Sequence, residues 1–136
     1  MAQIRQVLEA RPEVRLAVLF GSPARGGARP RSDLDLGLEL LGEAPGHSRR
    51  RHDEIAFAVQ RATGRVVDVV DLVEASPLLR FEIARDGVVL VEGEPHAWAD
   101  FKARAMLDWW DFAPLARRIH EAAIARLQES AVDGAS

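Results

Sequence analysis

The 136-residue chain contains no cysteine. This absence excludes disulfide bonds, a thiolate nucleophile and any zinc site built from cysteine ligands. The four histidines include no pair at the i, i+4 spacing that a helical zinc site requires. The formal net charge is −3, so the chain has no general attraction for nucleic acid, and any phosphate must bind at a local site.

Long hydrophobic runs are also missing. The longest apolar run is far shorter than the roughly 20 residues that cross a bilayer as a helix. The first fourteen residues form an amphipathic pattern rather than a basic segment followed by an apolar one, so we see no signal peptide. These features predict a cytoplasmic protein with no membrane partner. The length and the hydrophobic fraction of 48% fit one ordinary domain.

Hydrophobic periodicity predicts an α/β (α+β) fold, in which helices flank a small mixed β-sheet. We expect a domain over residues 1–94 and a helical extension over 95–136 that packs on it. Pro114 should interrupt this extension, with Asp111 capping a second helix whose first turn contains Pro114. The predicted helices cover 3–11, 48–63 and 77–86, and the predicted strands cover 14–20, 33–40, 65–72 and 88–91.

Acidic residues mark two of the predicted strands. Asp33 and Asp35 project from one face of their strand, roughly 7 Å apart. Oxygen ligands without histidine or cysteine point to Mg²⁺ or Mn²⁺. Asp68 lies between valines, where an unpaired carboxylate would be costly, and a cation on the neighbouring strand would remove that cost. At the end of the first strand, Gly21 and Ser22 offer backbone N–H groups and a hydroxyl to a phosphate.

Several of these residues also have a simpler structural interpretation. Asp33 and Asp35 also fit the solvated face of a strand. Asp71, three residues after Asp68, would point to the opposite face, and we favour Asp68 because it lies in the middle of its strand. Adjacent tryptophans at 109 and 110 cannot both face one helical stripe, so they either pack the extension onto the sheet or form an interface.

Two motifs together resemble the nucleotidyltransferase superfamily related to DNA polymerase β. They are the Gly-Ser-x-x-x-Gly pattern over 21–26 and the Ser-Asp-x-Asp pattern over 32–35, followed by the strand aspartate at 68. The short length, the VDVVDL strand and the segment LLRFEIARDGVVLVEG are similar to minimal nucleotidyltransferase domains. The resemblance covers about residues 14–93. Such domains are commonly encoded beside HEPN-domain toxins, as their antitoxins.

The resemblance implies transfer of AMP from ATP to a hydroxyl, usually of a tyrosine, on a HEPN ribonuclease toxin. This chain has no tyrosine, so it cannot modify a tyrosine of its own. Gly21 and Ser22 would hold the β- and γ-phosphates, and Arg25, in the same motif, is expected to contact the triphosphate.

Under the same resemblance, Asp33 and Asp35 would bind two Mg²⁺ ions. Asp68 would bind the catalytic ion and help to deprotonate the attacking hydroxyl. Two other functions remain open. The domain could neutralise its toxin by occlusion without catalysis, or it could be a nucleotidyltransferase acting on a small molecule or RNA. The acidic net charge and the short segment after residue 94 argue against a nucleotidyltransferase that acts on a small molecule or RNA.

Overall fold

A computed structural model describes residues 1–21, 33–42 and 49–134. Four helices and four strands lie in these ranges, which confirms the predicted α/β class. The elements are α1 (Ala2–Glu9), β1 (Val14–Phe20), β2 (Leu34–Leu40), α2 (Arg49–Thr63), β3 (Val67–Asp71), α3 (Pro77–Asp86), β4 (Val88–Glu92) and α4 (Ala97–Gly134).

The four strands form one mixed sheet in the order β3-β2-β1-β4. β1 pairs antiparallel with both β2 and β4, whereas β2 pairs parallel with β3. The parallel pair needs a long crossover, which α2 supplies. This arrangement confirms the predicted small mixed sheet and places the acidic strand β2 between β1 and β3.

Helices cover both faces of the sheet. Ala17 and Leu19 of β1 pack in one core with α1 and α2, whereas Leu16 and Val18 pack in a second core with α3 and α4. All four side chains are buried, and this explains why β1 reads as a continuous apolar run rather than an alternating one. The same double coverage places the acidic side of β2 on the α3 and α4 side, since Leu72 of the second core packs against Gly37.

Local signals set the start of α3 as the sequence predicts. Ser76 is the N-cap, and its hydroxyl accepts a hydrogen bond from the N–H of Leu79 at 3.2 Å. Pro77 occupies the first helical position, where its missing N–H costs nothing.

The expected break near Pro114 is wrong, because α4 is a single helix of 38 residues that contains this proline. A proline in a helix removes one backbone hydrogen bond, here to the carbonyl of Trp110, and that residue is 67% exposed, so water reaches this turn. The flanking alanine, leucine and arginine residues favour helix on both sides.

The two adjacent tryptophans have different environments. The ring of Trp109 stacks on Phe81 of α3 with 5.1 Å between centroids, whereas Trp110 faces solvent. The first half of α4 therefore packs on the domain. None of the helices within the described ranges is both long enough and apolar enough to cross a membrane.

Gly37 allows Leu72 to reach the sheet. A Cβ at this position would lie 2.5 Å from Cδ2 of Leu72, which is 1% exposed, so the Leu72 side chain would have to shift. We expect Gly37→Ala to lower the free energy of unfolding by roughly 1–3 kcal/mol through overpacking. In a Leu72→Ala background the same substitution should cost clearly less, since the colliding methyl is gone. Urea unfolding of the four proteins measures this, and an equal cost in both backgrounds would contradict it.

Candidate active site

Antiparallel pairing of β1 with β2 brings Gly21 against Asp35. Phe20 is the register partner of Asp35, and Gly21 follows it with a φ of +78°. A Cβ on Gly21 would collide with Oδ2 of Asp35. Both the left-handed backbone and the close approach require glycine here. The Gly-Ser motif therefore begins directly beside the carboxylate of the Asp-x-Asp motif.

Parallel pairing of β2 with β3 brings in the third carboxylate. Asp35 and Asp68 are register partners, so both belong to one row across the sheet. Asp33 precedes Asp35 by two residues and is exposed. The structure thus collects Gly21, Asp35 and Asp68 from three adjacent chain segments, as the sequence motifs require.

The electrostatics of this group are those of crowded negative charge. The pKa of the Asp35 carboxyl lies above its usual range, first because the side chain is partly buried and then because Asp68 and Asp33 repel its ionised form. Within the described ranges, no arginine, lysine or histidine forms an ion pair with any of these three carboxylates. A bound cation would supply the missing positive charge.

The donor set fits a hard divalent cation. The candidate side chains Asp33, Asp35 and Asp68 offer only carboxylate oxygens, which suit Mg²⁺ or Mn²⁺. In the part of the chain that the structure describes, no three carboxylate or imidazole groups already form the arrangement of a metal site. The fit therefore rests on the chemistry and charge of the donors.

The structure separates Asp68 from Asp71. The Asp71 carboxylate accepts a hydrogen bond from the N–H of Val73 at 2.9 Å, and it therefore closes the turn after β3. Asp68 pairs in register with Asp35. We expected Asp68 to be buried between valines, where an unpaired carboxylate would be costly, and this expectation is wrong. β3 is the end strand of the described sheet, and the Asp68 side chain is exposed.

Sequence reasoning missed an ion-pair network further along β2. Arg15 lies between Glu39 and Glu94, with guanidinium-to-carboxylate distances of 2.8 Å to each, and it reaches Asp100 at 3.4 Å. The alternation of β2 predicted an acidic Glu39. Its partner could not be predicted, because the register of β1 shifts between Val14 and Leu16, next to this arginine.

A cavity of about 290 Å³ opens beside this network, between the sheet and helices α3 and α4. Arg15, Glu39, Arg80 and Phe101 line part of it. None of the three aspartates does, and Leu72, which also lines it, packs over Gly37 between the cavity and Asp35. The cavity is therefore a feature separate from the acidic site. Two predicted nucleotide-binding residues, Ser22 and Arg25, lie outside the described residues.

Comparison with known families identifies the domain. The family described as "Polymerase beta, Nucleotidyltransferase" matches residues 2–96. The chain belongs to this nucleotidyltransferase family. The match spans all four strands and the first three helices, and it includes the three aspartates.

The proteins similar to this chain include a protein adenylyltransferase and chains of toxin–antitoxin crystal structures. The chain is 29% identical over 103 residues to protein adenylyltransferase MntA of Aphanizomenon flos-aquae, which covers 71% of this chain and 69% of that protein. It shares its fold with a chain of a toxin–antitoxin crystal structure containing AMP-PNP, with a TM-score of 0.76, 22% identity and coverage of 90% and 97%. A third match is to the complex of a tri-AMPylated Shewanella oneidensis HEPN toxin with its MNT antitoxin, with a TM-score of 0.71, 21% identity and coverage of 90% and 94%.

The raised pKa of Asp35 predicts a pH-dependent stability. Because folding disfavours the ionised form of this group, its ionisation destabilises the fold above its folded-state pKa and has no effect below the ordinary carboxyl pKa of about 3.9. We expect Asp35→Asn to raise Tm at neutral pH, by an amount that shrinks as the pH falls towards 4.

Thermal unfolding monitored by circular dichroism across this pH range measures the effect. The matched control is Asp53→Asn, which neutralises an exposed carboxylate on α2 and should leave Tm unchanged. A gain for Asp35→Asn that is the same at every pH, or no gain at neutral pH, would contradict a raised pKa of Asp35.

Proposed function

We propose that this chain is a protein adenylyltransferase that acts as an antitoxin, transferring AMP from ATP to a hydroxyl of a HEPN ribonuclease toxin. The observation that carries the proposal is the meeting of Gly21, Asp35 and Asp68 on three adjacent segments of a nucleotidyltransferase-family domain. The similarity to protein adenylyltransferase MntA supports the choice of a protein as the acceptor. Since ATP and RNA are cytoplasmic, we place the reaction in the cytoplasm.

In this proposal the triphosphate of ATP binds at the end of β1. Gly21 would offer its backbone N–H to a phosphate, and Ser22 and Arg25 would supply a hydroxyl and a guanidinium. A related toxin–antitoxin structure that contains AMP-PNP supports an adenine nucleotide as the substrate.

Asp33, Asp35 and Asp68 would hold Mg²⁺. When bound, divalent ions stabilise charge on the entering and leaving oxygens of phosphoryl transfer. The carboxylates themselves concentrate negative charge: burial and then repulsion by Asp68 and Asp33 raise the pKa of Asp35.

The proposed reaction is an in-line displacement at the α-phosphorus. The acceptor hydroxyl oxygen forms a bond to this phosphorus, the bond between the phosphorus and the bridging oxygen of the β-phosphate breaks, and pyrophosphate leaves. The proton of the hydroxyl passes to the carboxylate of Asp68. This side chain is exposed on the end strand of the sheet, so a residue of another protein has access to it.

We also propose that residues 1–94 form the catalytic domain and 95–136 an extension of it. The boundary agrees with the end of the family match at residue 96. The extension packs through its first half, where Ala97, Phe101 and Ala105 join the second core. We expect limited proteolysis to remove the exposed end of α4 and to leave residues 1–94 folded.

The direct test is intact mass spectrometry. The purified chain is incubated with the product of the neighbouring gene, which we expect to be the HEPN toxin, together with ATP and Mg²⁺. The Asp33→Asn/Asp35→Asn protein serves as the control. We expect the toxin to gain whole AMP units with the natural chain and none with the control. A tight, inhibitory complex without any gain in mass would establish neutralisation by occlusion instead. If the toxin is neither modified nor bound, the antitoxin assignment is rejected.

A second prediction separates the two aspartates of β3. Asp68→Asn should lower the rate of AMP transfer by roughly 10²–10⁴-fold, because it removes the proposed proton acceptor. Asp71→Asn should retain most of the rate, since an asparagine oxygen can still accept the hydrogen bond from Val73. Single-turnover rates of AMP transfer measure both. The roles are reversed if Asp71→Asn proves the more damaging change.

A further inference from the structure

The second half of α4 has no tertiary support in the described structure. Every residue from 117 to 132 is exposed, over a length of about 24 Å. Isolated helices of this length are marginal in water, because the stability of a protein helix comes mainly from packing of one face. Apolar side chains nonetheless lie in and beside this segment, among them Leu115 and Val132 at 51% and 70% exposure. Such a helix is typical of an interaction surface.

One stripe of this helix has the spacing of a coiled coil. Six positions follow one another at alternating intervals of three and four residues, as the a and d positions of a heptad do. We call them the 115–132 seam. They are Leu115, Arg118, Ala122, Ala125, Glu129 and Val132.

The chemistry of the seam is self-complementary when read in opposite directions. In an antiparallel pair of identical helices, Leu115 of one copy faces Val132 of the other, and Arg118 faces Glu129. Ala122 faces Ala125 at the two-fold axis, where small side chains allow the helices to approach closely. A parallel pair would instead place arginine against arginine and glutamate against glutamate, which like-charge repulsion disfavours.

We propose that the 115–132 seam binds a second copy of this chain in an antiparallel coiled coil. The opposite charges at positions 118 and 129 select both the partner and the orientation. Charged layers within a seam lower its stability but specify register, a role well known for polar groups at such positions.

The sheet domain does not occupy this side of the helix. Ala97, Phe101 and Ala105 pack α4 on the domain, and helical periodicity continues their face through Phe112 and Ile119. The 115–132 seam lies about a quarter of a turn away from that face. A second copy therefore meets the seam from the solvent side.

The size of the seam predicts a weak dimer. Two paired segments of this length bury less than the roughly 1,600 Å² of a standard interface. We therefore expect dissociation constants in the range of about 10⁻⁵ to 10⁻⁴ M, so that dimers form in a concentration-dependent way.

The test is sedimentation equilibrium of the full-length chain, whose monomer mass is 15.0 kDa, from about 1 μM to 1 mM, a range that spans the expected affinity. The natural chain should approach twice that mass at the upper end. Arg118→Glu and Glu129→Arg should each weaken the dimer by at least about tenfold, since each places like charges in two layers. The double variant Arg118→Glu/Glu129→Arg should restore it, because the pairs are regenerated with reversed sign.

Arg117→Glu is the matched control. It makes the same change of charge one residue away, off the seam, and it should leave the dimer unchanged. Helix content from circular dichroism establishes that each variant is folded. The proposal is overturned by a natural chain that stays monomeric at every concentration, by single variants that dimerise normally, or by a double variant that fails to recover. If the natural chain is monomeric and the single variants lose binding to the HEPN toxin, the seam binds the toxin. This result would also overturn the proposal of a dimer.

Discussion

Hydrogen bonding of β2 to both of its neighbours is the constraint on which the acidic site depends. Antiparallel pairing with β1 sets Gly21 beside Asp35, and parallel pairing with β3 sets Asp68 in the same row. A slip of one residue in either ladder would turn the side chains to the opposite face of the sheet. The two buried faces prevent this slip, since leucines at 34, 36 and 38 fill one core while Gly37 receives Leu72 in the other.

The same constraint concentrates negative charge at one place in the fold. Burial and two neighbouring carboxylates all disfavour the ionised form of Asp35, and no described cation offsets them. A stable sheet could have been built with neutral side chains there, so this arrangement favours function over stability. The Arg15 network shows the contrast, because there Glu39 on the same strand is neutralised by a guanidinium at 2.8 Å.

Helix α4 combines two different environments in one continuous element. Its first turns are held by packing on α3 and by the stacking of Trp109 on Phe81. From residue 117 to 132 every residue is exposed, so helix propensity is what supports this part of the helix in the single chain. This division explains how a proline at 114 is tolerated, and it explains why a helix pattern that is clear in sequence says little about what the helix contacts.

Local chemistry in the sequence determined most of the elements and all of the candidate aspartates. The apolar run of β1, the alternation of β2, the Ser76–Pro77 cap and the Gly-Ser and Asp-x-Asp motifs each act over a few residues, so they are visible without a fold. Only the tertiary structure decided the pairing of Asp35 with Asp68, the exposure of Asp68 at the end of the sheet, the partner of Glu39 and the continuity of α4. The first three depend on strand order and on a shift in register, which no local pattern contains. The continuity of α4 depends on the exposure of the turn around Trp110, which lets water reach the carbonyl that Pro114 leaves without a partner.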